Sequence, residues 1–171
     1  VTQQGHDRGR FPLSANRGHG TVAPVTTSPV LPRLRQVVLD GEDARTPAEL
    51  YRRLLGLAYR AGDEPPPPGE PDPRGEDWLV LEGPDGRPQL AFQQVAELPR
   101  ATWLDGPHPQ MLHLDLTVDS PVELARQHRR ALDLGAEPLL DRSDDPEEPL
   151  YVYADPAGHP FCVIVATAGP R

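Results

Sequence analysis

The stretch PQMLHLDLTVDSPVELARQHRRALDLG, residues 109–135, carries two periodicities in succession. In its first part Leu112, Leu114, Leu116 and Val118 alternate with His113, Asp115, Thr117 and Asp119, as in a strand with one apolar and one polar face. Ser120 then offers an N-cap and Pro121 suits the first helical position. Glu123, three residues after the cap, completes a capping box, and Gly135 marks the stop. A strand therefore feeds directly into a capped helix.

Downstream, Glu137 to Asp141 reads as a strand and DRSDDPEEP (141–149) as a solvated acidic loop. LYVYADPAGHPFCVIVA (150–166) reads as a hairpin around the turn DPAGH, with His159 facing solvent. Upstream, LRQVVLD (34–40) reads as a strand and the segment from about Asp43 to Leu55 as a helix. Asp43 or Thr46 caps it, Pro47 sits in its first turn and Gly56 ends it. Leu50, Leu54 and Leu57, with Tyr51 beside them, form its apolar stripe. The proline run in GDEPPPPGEPDPRGED (62–77) forms neither helix nor central strand and predicts an exposed loop. Trp78–Glu82 and Gln89–Val95 flank the turn GPDGR, a second hairpin, and AELPRATWLDGPHPQ (96–110) connects the two halves.

The halves repeat one another: strand, helix ending in Leu-Gly, variable loop, hairpin. Leu55-Gly56 matches Leu134-Gly135, while Pro84, Gly86 and Pro88 match Pro156, Gly158 and Pro160 at a constant offset. Residues 1–30 show neither period and read as a disordered tail. One domain is expected over residues 31–168, with units at 31–107 and 108–168. A net charge of −9 argues against binding phosphate backbones, so no nucleic-acid role is expected. The lone Cys162 forms no internal disulfide, and no run is apolar and long enough for a membrane span or signal peptide, which points to the cytoplasm.

The segments DGEDARTPAELYRRLLGL, QLAFQQV, PQMLHLDLTVD and DPAGHPFCVIV together resemble the glyoxalase-like members of the vicinal-oxygen-chelate superfamily, which includes bleomycin-resistance proteins and ring-cleaving dioxygenases. The resemblance spans roughly residues 34–166. It implies an α+β fold of two tandem βαβββ units, a curved mixed sheet around a cleft that binds a small organic molecule, helices on the outer faces, and a monomer or a homodimer.

The cleft face is then the one carrying His113, Asp115 and Thr117, because the Leu row is needed under the helices. Metal-dependent relatives place four ligands there, on first and last strands. Carried over, the first-strand positions fall on Gln36 and His113, and the last-strand positions on Gln93, with Ala91 as an alternative, and on Cys162. Imidazole and amide groups at these places suit a divalent metal held by His113, Gln36 and Gln93. Cys162 stands where active relatives usually carry Glu, so neither glyoxalase I activity nor ring-cleaving dioxygenation is implied. The bland reading of Cys162 is a small buried hydrophobe, and that of Gln36 and Gln93 is polar groups bonded to backbone or water.

His113 and Asp115 form a candidate acid/base or ligand-orienting pair, Thr117 a cavity wall, and Trp103 a stacking surface for a planar ligand, ahead of Trp78. Two functions stand open: a lyase or isomerase acting on a small organic substrate, and a non-catalytic protein that sequesters a drug or metabolite.

Overall fold

The computed structural model describes residues 31–166, so the expected tail lies outside the described residues. From Leu34 on the chain forms a compact unit of its own. Its element order is β1 (Val37–Gly41), α1 (Arg45–Leu55), β2 (Ala58–Tyr59), β3 (Trp78–Glu82), β4 (Pro88–Gln94), β5 (Leu114–Val118), α2 (Pro121–Asp133), β6 (Glu137–Arg142), β7 (Leu150–Ala154) and β8 (Pro160–Val165). Each half is a βαβββ unit. The strands form two four-stranded sheets, ordered β1-β4-β3-β2 and β5-β8-β7-β6. In each the first strand pairs with the last in parallel, and the other pairs are antiparallel.

The helix ends follow the sequence with two changes. Asp43 Oδ1 accepts from the backbone N–H of Arg45 and of Thr46 (2.9 and 3.2 Å), so Asp43 caps the helix from a position just before its N-cap residue, Ala44. Gly56 closes it at φ 69°, a left-handed conformation that a side chain would strain. Ser120 Oγ accepts from Glu123 N–H (3.2 Å), as a capping box requires. The reciprocal arm is missing, because the Glu123 carboxylate is engaged by Arg126 and Gln127.

The apolar faces of both sheets and both helices meet in one core. Leu39, Leu50, Tyr51, Leu79, Leu81 and Phe92 come from the first unit, and Leu124, Ala131, Tyr153, Phe161 and Val163 from the second. Tyr51 on α1 joins the units, its ring 5.9 Å from Phe92 and 5.7 Å from Phe161. Arg130 of α2 donates to the Leu54 carbonyl (3.1 Å) and to that of Arg53, two groups that the end of α1 leaves unbonded.

The proline-rich segment is exposed along most of its length but is tethered at both ends. Asp63, expected in an exposed loop, is 1% exposed; it accepts from Val80 N–H (3.0 Å) and pairs with Arg60 (2.9 Å). Arg45 grips the other end, donating to Asp72 Oδ2 and Oδ1 (2.7 and 2.9 Å) and to the Asp63 carbonyl (2.8 Å). Those Arg45 bonds hold the Asp72 carboxyl below the usual carboxylate value of 3.8. A carboxylate depressed on folding stabilises above its unfolded value, and that stability disappears as pH falls through the folded value. Asp72→Asn is therefore expected to cost about 1 kcal/mol at pH 7, a partly exposed pair's contribution. The difference from wild type should close below about pH 4, read by urea melts across pH.

Candidate functional site

Strand register decides which side chains meet. In the second sheet Asp115 lies beside Cys162, and Cys162 beside Val152, so all three project to one face. That face is turned away from the helices, because the alternating residues Leu116, Tyr153, Phe161 and Val163 belong to the core. Leu150, Val152 and Cys162 form its apolar floor, with Leu140, Ile164 and Trp103 packed against them. His113, Asp115 and Thr117 form an exposed polar row along it, as their alternation predicts. His113 itself lies one residue before β5 begins.

His113 Nε2, an Asp115 carboxylate oxygen and Cys162 Sγ lie within 4.8 Å of one another. His113 Nε2 is 3.4 Å from Asp115 Oδ1, long for a hydrogen bond. The imidazole is 40% exposed and the carboxylate 57%, so both are open to an incoming molecule. Cys162 is 6% exposed. Burial, and after it the negative charge of Asp115, pushes its thiol up to about 11, so it carries its proton at neutral pH. The indole of Trp103 stands edge-on to the His113 ring, centroids 6.4 Å apart, and its Nε1–H is buried with no hydrogen-bond partner among the described residues. An imidazole, a carboxylate and a thiol make a donor set that fits a divalent cation once the thiol proton leaves.

The first unit does not repeat this arrangement. Val38 occupies the register position of Asp115, and Ala91, paired with Val38, occupies that of Cys162. The offset read from the two turns slips by one residue because β4 carries a bulge at Gln89: Leu81 faces Leu90 while Glu82 faces Pro88. The second hairpin has no such bulge. Gln93 is on the same face as Ala91, exposed, paired with Asp40 and with Trp78, and matches Ile164 of the second unit. Gln36 is half-buried just before β1, and its side-chain oxygen is buried without a partner among the described residues.

A cavity of about 520 Å³ lies beside the cluster. Val38 and Asp40 of β1, the connector residues Leu98, Pro107 to Leu112, and the turn residues Ala157 to Pro160 line it. It ends one residue short of His113 and two short of Cys162. The connector is held in place by Arg100, which donates to the Pro156 carbonyl and to Glu137 (both 3.0 Å), and by closure of Thr102 N–H on the His108 carbonyl (2.7 Å). Gln110 leaves a buried side-chain oxygen without a partner among the described residues in this wall. No periodicity marked the connector as a wall; its prolines, which make a stiff loop, were the available signal. Thr117 lines a different groove, about 600 Å³, between the end of α1 and the start of α2.

His159 departs from its expected solvent-facing position. It is half-buried, with Nδ1 3.1 Å from Asp155 Oδ2, because the buried Asp155 carboxylate organises the turn: its other oxygen accepts from the N–H groups of Gly158 (2.8 Å) and His159 (2.9 Å). The acidic segment is exposed as expected, yet ordered at Asp145. That residue pairs with Arg142 and accepts from the N–H groups of Glu147 and Glu148, contacts that hold its carboxyl down to about 2.

The family of glyoxalase-like domains matches residues 36–164 of the chain. Among solved structures, a genomically encoded fosfomycin resistance protein, FosX, from Listeria monocytogenes is 14% identical. The match covers 83% of this chain and 97% of that one, with a TM-score of 0.57. A possible glyoxalase from Bacillus cereus is 15% identical, covering 77% and 97%, with a TM-score of 0.53. A glyoxalase/bleomycin resistance protein/dioxygenase from Nocardioides is 20% identical, covering 86% and 90%, with a TM-score of 0.51. No curated protein sequence matches the chain. Among the described residues no helix is long and apolar enough to cross a membrane.

Proposed function

Because the chain belongs to the glyoxalase-like domain family, we propose that it binds a small organic molecule on the open face of its second sheet. The observation that carries this reading is the convergence of His113, Asp115 and Cys162 beside an indole whose N–H is buried without a partner among the described residues. An apolar floor with a few convergent polar groups is the usual make-up of a ligand site, and the 520 Å³ cavity alongside is the size of such sites. His113 and Asp115 orient the ligand and, for a substrate with an acidic C–H or a leaving hydroxyl, pass a proton between its carbon and oxygen atoms. This is the chemistry of an isomerase or lyase.

Sequestration without turnover is the second reading, favoured by one feature. Where relatives usually have Glu, Cys162 offers a protonated thiol, which at neutral pH gives the site neither a second negative charge nor a ready base. A thermal-shift screen of small organic acids, epoxides, phenols and glycopeptide drugs on the whole protein separates the readings. A ligand present at 100 times its Kd should stabilise the native state by about 2.7 kcal/mol. His113→Ala should weaken that ligand about tenfold or more, the loss of one hydrogen bond to a charged or polar group. Product formed by wild type and not by His113→Ala marks an enzyme, whereas stoichiometric protection without product marks a sequestering protein. Ligands whose affinity ignores His113→Ala, Asp115→Ala and Trp103→Ala alike would refute the assignment of this face.

A further inference from the structure

We propose that His159, oriented by the buried Asp155, is the hydrogen-bond acceptor of a site for a neutral, mostly apolar molecule carrying an N–H or O–H donor, seated in the 520 Å³ cavity between the connector and the β7–β8 turn. The proposal rests on reading the protein as a small-molecule binder and names the class of molecule. Three observations carry it. The first is the pairing. Asp155 is 0% exposed, and its Oδ2 lies 3.1 Å from His159 Nδ1. A carboxylate only accepts, so Nδ1 bears the proton and donates, and the neutral ring keeps its lone pair on Nε2. The Nδ1 edge is turned to the buried carboxylate, whereas the imidazole is 20% exposed and lines the cavity, so Nε2 is left for an occupant.

The second observation is that the turn does not need this imidazole. At the constant offset of the repeat, Gly83 and Arg87 stand where Asp155 and His159 do. Yet the two turns close alike. Gly83 N–H donates to the Arg87 carbonyl and Gly86 N–H to that of Gly83 (both 2.9 Å), as Asp155 N–H does to His159 and Gly158 N–H to Asp155 (both 2.9 Å). The imidazole is an addition to a turn that the backbone already closes, and it stands in the turn that borders the cavity.

The third observation is the rest of the wall. Val38, Leu98, Pro107, Pro109, Met111 and Leu112 make it apolar, and Gln110 adds a buried side-chain oxygen without a partner among the described residues. No Arg stands among the described residues that line it, and Asp40 contributes a carboxylate, so an anion meets no guanidinium and a charge of its own sign. Acceptors set in an apolar wall select a neutral molecule that presents a donor, because a ligand without one leaves them desolvated and unpaired.

Three probes of one shape class test this by calorimetric titration of the whole protein at about pH 8, where histidine rings are ordinarily neutral. Indole is a donor only, benzofuran lacks the N–H, and isoquinoline is an acceptor only. Wild type should bind indole about tenfold more tightly than either of the others, the effect of one hydrogen bond to an otherwise unpaired acceptor. His159→Phe keeps a ring in the wall and should bring the ratio to about one. Asp155→Asn is the sharper variant. Its amide oxygen can still accept from the N–H groups of Gly158 and His159, which turns its NH2 toward Nδ1. The ring proton then moves to Nε2, and the preference should reverse from indole to isoquinoline. A purely structural role for the pair would weaken all three probes together. Circular dichroism checks the fold of each variant, and Asp155→Asn decides if His159→Phe does not fold. Absence of indole binding, equal wild-type affinity for indole and benzofuran, an indole preference that survives His159→Phe, or one that folded Asp155→Asn keeps overturns the proposal. Dependence on His159 with none on His113, Asp115 or Trp103 leaves the cavity site standing and removes the open-face reading; dependence on those three with none on His159 does the reverse.

Discussion

Tyr51→Ala is expected to destabilise the domain by about 4 kcal/mol, the upper range for deleting a large buried aromatic. Tyr51 is 0% exposed and stands where the two units share their core. Its ring contacts Phe92 of the first sheet and Phe161 of the second, and Phe161 in turn stacks on Tyr153 at 5.1 Å. Removing the ring opens a cavity between two separate four-stranded sheets, so neighbours cannot collapse cheaply into the gap. The hydroxyl is a separate matter. It is buried without a hydrogen-bond partner among the described residues, and burial, with the nearby Asp155 carboxylate second, raises its pKa well above the usual value. Tyr51→Phe removes an unsatisfied polar atom and keeps the ring, so it should lie within about 1 kcal/mol of wild type, on either side. Urea melts of both variants decide the matter; equal losses for Ala and Phe would contradict the packing account.

Asp155→Ala should cost about 3 kcal/mol, since charge-assisted hydrogen bonds contribute about 1.5–3 kcal/mol and truncation leaves their donors orphaned. Asp155 is 0% exposed and its carboxylate accepts from Gly158 N–H and His159 N–H, with His159 Nδ1 beside it. Gly158 has φ 99°, and a Cβ there would lie 2.9 Å from Arg100 Cγ, so the turn has little alternative shape. The turn sets where β8 begins and hence where Cys162 lies beside Asp115. Asp155→Ala should therefore also weaken ligands of the open face. Because Asp155 lies near the Tyr51 phenol, the two substitutions remove neighbouring groups and should not add: the double mutant is expected to fall short of the sum by at least about 0.5 kcal/mol. Strict additivity in denaturant melts would show the two groups to be independent.

Much of this architecture was readable in residue order. The alternation of His113, Asp115 and Thr117 with Leu114, Leu116 and Val118 announced both the strand and its polar face. Ser120-Pro121 and Gly56 announced helix ends, because caps and left-handed stops are local chemistry. What was not readable shares one cause. β2 is two residues long, too short to show a period, and exists only because Ala58 and Tyr59 pair with Glu82 and Leu81. Asp63 lies among prolines and charges yet is buried, since the N–H of Val80 on β3, just past the stretch that the two-residue β2 covers, draws it in. His159 reads as a turn residue, and only the folded turn brings its ring to Asp155.

The candidate site divides in the same way. The sequence by itself determined the repeat of strand, helix and hairpin in two halves and the face on which His113, Asp115 and Thr117 stand, and the family resemblance added the βαβββ units and the place of Cys162 where relatives usually carry Glu. Tertiary structure alone decided that the bulge at Gln89 gives Ala91, with no donor, the position matching Cys162, while Asp115 and Cys162 become neighbours. The physical reason is that periodicity fixes which way a side chain points. Which side chains touch is fixed by hydrogen-bond register between strands far apart in the chain, and a single extra residue shifts that register.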